Sequence, residues 1–184
     1  INFAKNKWCV DSIICLPTEH VAVLSPIENS NLNTTMCSVN SDGLIDLREL
    51  ENILKKSSEL KKLICVMAVN NETGIIQPIK EISNLCKKYN DYFFCDCIQA
   101  LGKIPLDMEN IGIDFSTFAS HKIGGPQGVG VVYIGANLGN YSDIVGGGQE
   151  FGRRGGTENV LAISSFGKAL EVTFKNLLIE SDNI

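Results

Sequence analysis

Lys122 stands where a lysine can do covalent chemistry. It lies in Ser120-His121-Lys122-Ile123-Gly124-Gly125-Pro126-Gln127-Gly128-Val129-Gly130, at the end of an apolar run and ahead of a glycine-rich turn. An amine at such an edge either remains a solvated surface cation or, offered a carbonyl, becomes a nucleophile. The glycines read equally as a turn or as a close backbone approach. Asp96 ends another apolar run, in Phe93-Phe94-Cys95-Asp96-Cys97-Ile98-Gln99-Ala100. Burying that carboxylate is costly unless a cation or several donors meet it. A protonated pyridine nitrogen is one such cation, and a carboxylate beside it keeps the ring an electron sink. The other reading of Asp96 is an N-cap for the turn that follows.

The elements that position these residues follow from alternation along the chain. Short apolar runs of strand type alternate with amphipathic runs of helix type, which is the pattern of an α/β fold with a mostly parallel sheet flanked by helices. Ser12–Leu16 is predicted as a strand, Thr18-Glu19-His20 as a helix start, Thr35–Asn40 as a second strand, Asp42-Gly43 as a turn and Asp46–Lys56 as a helix. A buried strand over Leu63–Val69 and a loop over Asn70–Gln77 precede a helix begun by Pro78 and ending near Tyr89-Asn90. Tyr92–Cys95 and Phe115–Ala119 are predicted strands, Val129–Ile134 an antiparallel one. The glycine-rich Gly146–Gly156 leads into a long helix from Glu158 to Glu180. This order places Asn71, Asp96 and Lys122 beyond the carboxyl ends of three strands, the edge at which open α/β sheets bind ligands.

Composition excludes several classes. With 16 Lys+Arg against 21 Asp+Glu, net −5, and no basic patch, the chain is not expected to bind nucleic acid. No apolar run approaches a bilayer span, and no membrane association is expected. Seven cysteines without C-x-x-C spacing fit a reducing compartment, cytoplasmic or an organelle matrix, and argue against a metal site. Cys95-Asp96-Cys97 is the one close pair, read as two thiols on one strand face. At 184 residues with 44% hydrophobic content, one sizeable domain or most of a larger one is expected.

Five motifs in order resemble the cysteine desulfurases of aminotransferase class V. They are His20 in Thr-Glu-His-Val-Ala-Val-Leu, Asn71 in Val-Asn-Asn-Glu-Thr-Gly, Asp96 and Gln99 in Asp-x-x-Gln, His121-Lys122 in His-Lys-x-x-Gly-Pro, and Gly146-Gly147-Gly148-Gln149-Glu150 through Arg154-Gly155-Gly156-Thr157. The resemblance covers essentially the whole chain and implies the large-domain fold of PLP-dependent transferases.

It also implies pyridoxal 5'-phosphate (PLP) as cofactor, with Lys122 forming the Schiff base and later moving protons, and His20 stacking on the ring. Asp96 would pair with the ring nitrogen, Gln99 and Asn71 would bond the ring hydroxyl side, and His121 would help hold the phosphate. Thr157 would reach the phosphate bound by a partner subunit, so a homodimer is expected. Read without the resemblance, His20 is an exposed histidine at a helix start, and Thr157 is the N-cap before Glu158, which also favours phosphate. The chain has Ala119-Ser120-His121-Lys122 where the family commonly has Ser-x-His-Lys. Ser120 is therefore carried as a phosphate candidate on the opposite side of the strand.

The resemblance further implies a sulfur-accepting cysteine on a loop well beyond Lys122 and a substrate-carboxylate arginine further still. Residues 1–184 are accordingly expected to be most of the PLP-binding large domain. A phosphate loop would precede Ile1, a small domain would follow Ile184, and none of the seven cysteines would be the nucleophile. The implied reaction converts L-cysteine to L-alanine and passes persulfide sulfur to an acceptor such as an iron–sulfur scaffold protein. Selenocysteine lyase, another class V aminotransferase, and a catalytically incompetent PLP-binding or dimerising fragment are the alternatives.

Overall fold

The central strands are buried along nearly their whole length, as a sheet covered on both faces requires. In a computed structural model, which describes residues 1–56, 59–139, 142 and 144–181, Ile13, Cys15, Leu63 and Cys65 pack into one hydrophobic cluster. Ile14, Leu16, Ile64 and Val66 pack into another. Neighbours along a strand thus serve opposite layers.

In chain order the elements are α1 (Asn2–Trp8), β1 (Ser12–Cys15), α2 (Val21–Glu28), β2 (Asn33–Met36), α3 (Leu47–Lys56), β3 (Lys62–Cys65), α4 (Ile79–Lys88), β4 (Tyr92–Asp96), α5 (Met108–Ile111), β5 (Phe115–Ala119), β6 (Gly130–Ile134), α6 (Gln149–Gly152) and α7 (Val160–Ser181). The sheet order is β2-β1-β3-β4-β5-β6. Every pairing is parallel except the last, in which β6 runs against β5 with Phe115 opposite Ile134 and Ala119 opposite Gly130. The α/β class and the antiparallel sixth strand match the expectation.

Beneath one face, Val23 and Ile27 of α2 join Ala4 of α1 and Phe115. Beneath the other, Leu50 and Leu54 of α3 meet Ile82 and Cys86 of α4 and Phe93. Three predicted bounds move. The second strand is Asn33–Met36 and not Thr35–Asn40, because pairing sets Ser12 against Asn33 and Cys15 against Met36. All four of its residues are exposed at the sheet edge, so no burial pattern marks it in the sequence. The expected strand Leu63–Val69 pairs only to Cys65, although the chain stays buried to Ala68. The last helix begins at Val160, two residues after Glu158.

Two of these parallel connections run in opposite directions. The chain passes from β1 out to β2, then returns across β1 to β3. The topological switch point therefore lies between the carboxyl ends of β1 and β3, and in open α/β sheets such a crevice receives the ligand.

Candidate functional site

Around that crevice the strand ends deliver the expected residues. His20 is the N-cap of α2, its Nδ1 accepting the Ala22 amide at 3.1 Å with the ring exposed. The helix-start reading therefore holds. Asp96 closes β4 and is 6% exposed. Its Oδ1 accepts the Ile98 amide at 2.9 Å, so the capping reading holds as well. One amide does not satisfy a buried carboxylate, and no salt bridge reaches Asp96 among the described residues. Burial pushes its carboxyl up from the usual aspartate value, while the Ile98 amide and the neighbouring His20 pull it down. His20 and Asp96 are thus electrostatic neighbours across the switch point. A ring cation placed beside Asp96 would favour its charged form.

The end of β5 winds into one 3-10 turn, Ser120–Ile123, closed by Gly124 in the left-handed region. That turn leaves His121 and Lys122 exposed and Ser120 fully buried. The Ser120 hydroxyl has no hydrogen-bond partner in the protein. It packs against Gly125, where a Cβ would collide with that hydroxyl and come within 3.2 Å of Ala169 on α7. Ser120 consequently faces the helix, while Lys122 is exposed.

Half-buried Gln99 follows Asp96 and receives Lys103 Nζ on its Oε1 at 2.7 Å. The Gln99 amide nitrogen is left to donate. Lys103 is held below the usual lysine range by burial and by the charge of Lys122, which brings Gln99, Lys103 and Lys122 into one group. Lys103 was not among the expected site residues, and its only sequence signal is the i, i+4 spacing to Gln99.

Asn71 is exposed, in a loop built by its neighbour. Asn70 Oδ1 accepts the Glu72 and Thr73 amides, and its Nδ2 donates to the Thr18 carbonyl at 3.1 Å, linking this loop to the segment before His20. Thr157 is exposed and does not cap the last helix. That role belongs to Asn159, whose Oδ1 accepts the Ala162 amide at 3.2 Å, because α7 starts at Val160. No side-chain hydrogen bond or ion pair joins Thr157 to the strand-end group among the described residues. The glycine segment before it folds on itself: a Cβ on Gly155 would come within 2.6 Å of the Gly146 backbone, and the Gly155 amide bonds the Ile144 carbonyl at 2.7 Å.

Beneath Asp96 the thiols of Cys95 and Cys97 stand 3.6 Å apart, both buried, as two residues on one strand face should. The described residues contain no cluster of three metal-ligating side chains. No described helix is long and apolar enough to cross a membrane.

Comparison with known proteins places this edge among relatives. The aminotransferase class-V family model matches residues 3–183. Cysteine desulfurase IscS of Clostridium botulinum is 36% identical over 182 residues, which is 97% of this chain and 45% of that protein. The NifS-like protein of Rickettsia africae superposes with a TM-score of 0.85 at 40% identity, covering 94% of this chain and 48% of that one. A structure described as SspA in complex with cysteine superposes with a TM-score of 0.80 at 30% identity, covering 92% and 50%. The chain spans about half the length of the relatives it matches.

Proposed function

The chain belongs to the aminotransferase class V family, and from that premise we propose that it is the cofactor-holding part of a PLP-dependent cysteine desulfurase. The observation that carries this reading is Asp96, a buried carboxylate at the switch-point edge with one oxygen bonded to a backbone amide and no salt bridge among the described residues. A protonated pyridine nitrogen would be a charge partner for that carboxylate. Bound there, PLP supplies an electron sink for carbanion chemistry.

Each residue has one task. Lys122, on the exposed rim of its turn, holds the cofactor and afterwards takes and returns protons at the substrate carbon. His20 lies against the ring face. Gln99, its oxygen engaged by Lys103, directs its amide N–H toward the ring hydroxyl, and Asn71 serves the same side from its loop. His121 bonds the phosphate. The buried Ser120 has the weakest claim to it, because its hydroxyl is enclosed beside Gly125. Thr157 serves a phosphate in the partner of a homodimer, which agrees with its separation from the group formed within one chain.

The substrate is L-cysteine. A thiol acceptor takes its sulfur as a persulfide and L-alanine leaves: one C–S bond and the acceptor's S–H bond break, and one S–S bond and one C–H bond form, the acceptor's proton ending on the alanine methyl. The acceptor is a thiol outside the seven cysteines, and the onward carrier is an iron–sulfur scaffold or similar protein. Cysteine bound to SspA supports the substrate class. Six of the seven cysteines are buried free thiols, which favours a reducing compartment.

The test is to incubate the protein with PLP, reduce with borohydride, and map the labelled peptide. Label on Lys122, lost in Lys122→Ala, is expected. Label on Lys103 or Lys87, or undiminished labelling of the variant, would overturn the reading.

A further inference from the structure

A second carboxyl spans the switch point, and none of the roles above uses it. Glu19 is 5% exposed, in the turn after β1, and its Oε1 accepts the Met67 amide after β3 at 2.8 Å. The side chain therefore ties together the ends of the two strands that flank the crevice, one residue before His20. Its Oε2 is buried with no partner in the protein, and no ion pair reaches Glu19 among the described residues.

The surroundings disfavour a charge on it. Asp96 faces it from β4, and the thiols of Cys15 on β1, Cys65 on β3 and Cys95 on β4 all lie within its field. His20 follows it on the chain, with its Nδ1 engaged by the Ala22 amide. Two neighbouring carboxyls in one apolar crevice divide their protonation states, and the less well solvated one keeps the proton.

We propose that Glu19 is a positioning residue of the site, held as a neutral carboxyl, which locks the His20 turn to the end of β3 and leaves the negative charge of this edge to Asp96. The inference deepens the PLP reading and rests on it. Burial raises the Glu19 carboxyl to about 8, against the pull of the Met67 amide and with a push from Asp96. Asp96 is raised too, but the Ile98 amide and His20 restrain it, so the proton resides on Glu19. When Glu19 ionises, the charge is relieved by withdrawal toward water. That withdrawal works against the Met67 amide, whose bond favours the charged form, and it shifts the turn carrying His20.

The experiment measures PLP affinity of the protein by fluorescence on both sides of that value, in wild type, Glu19→Gln and Glu19→Ala. Wild type is expected to lose roughly tenfold in affinity on the alkaline side, about 1.4 kcal/mol. Glu19→Gln keeps the Met67 bond and cannot ionise, so it should match wild type at neutral pH and lack that loss. Glu19→Ala should be weaker at both. Infrared difference spectra of the cofactor-free protein should show a protonated-carboxyl carbonyl band at neutral pH that Glu19→Gln lacks. An unchanged alkaline loss in Glu19→Gln, wild-type affinity in Glu19→Ala, or absence of the infrared band would overturn the proposal. Failure of wild type to take up PLP at all would instead overturn the cofactor reading, which the infrared band does not depend on.

Discussion

Lys103 Nζ and Gln99 Oε1 lie 2.7 Å apart, and that contact fixes which end of the Gln99 amide is already engaged. With the oxygen taken by an ammonium, only the N–H end is left to meet an acceptor.

Replacing Lys103 with Met should free the Gln99 amide to rotate. A hydrogen bond to a charged group contributes about 1.5–3 kcal/mol, part of which is expressed in ligand affinity. The expected outcome is PLP binding weakened by roughly tenfold in Lys103→Met and largely restored in Lys103→Arg, measured by fluorescence titration. Equal affinities in all three proteins would reduce the contact to a surface pairing.

Asp96→Asn separates the two jobs of that residue. The asparagine oxygen still accepts the Ile98 amide, so the turn after β4 should survive, but a neutral amide no longer favours a protonated pyridine. In the full-length enzyme, cofactor absorbance should persist while alanine release falls by two or more orders of magnitude. Turnover equal to wild type would leave Asp96 a cap and nothing more.

What the sequence made legible and what it hid divide along physical lines. Strands such as Ser12–Cys15 were legible because burial on both faces leaves the apolar run Ile13-Ile14-Cys15-Leu16. The edge strand Asn33–Met36 was not, since its four exposed residues answer only to the pairing partner. The strand-end positions of Asp96 and Lys122 could be read because strand ends and glycine turns are local features. Glu19 and Lys103 could not, because their importance lies in a bond to Met67, far along the chain, and in the charge of Lys122. The helix cap passed from Thr157 to Asn159 once packing set the start of α7.

The ends of β3 and β4 opposite the site depend on a buried ion pair. Lys62 and Asp91 are each 1% exposed in their side chains, with Nζ 3.4 Å from Oδ2, while Asp91 Oδ1 also accepts the Lys62 amide at 2.9 Å. Removing the cation alone strands a buried carboxylate. Lys62→Met should therefore cost about 3–5 kcal/mol in urea unfolding. The double variant Lys62→Met/Asp91→Asn should recover part of this, since no uncompensated charge remains. A loss in Lys62→Met below about 1 kcal/mol would show that the pair is solvated in solution.

Stability should fall as pH rises, and Glu19 should account for much of the fall. Its carboxyl has an ordinary value of 4.5 in the unfolded chain and about 8 in the folded one, raised by burial. A raised folded value means that the native state binds the proton more tightly. The resulting stability is fully present below 4.5 and is lost progressively as pH climbs to about 8, beyond which both states are ionised. Each unit of difference corresponds to about 1.4 kcal/mol, so the total loss is several kcal/mol. Asp96, raised in the same direction by burial, adds to the slope. In Glu19→Gln no proton is released at this position, and unfolding free energies between about pH 5 and pH 8 should form a much flatter line. Urea unfolding of both proteins across that range reads the difference directly. Parallel curves for wild type and Glu19→Gln would mean that Glu19 ionises in the folded protein at its ordinary value, and that water reaches the oxygen now enclosed beside Met67.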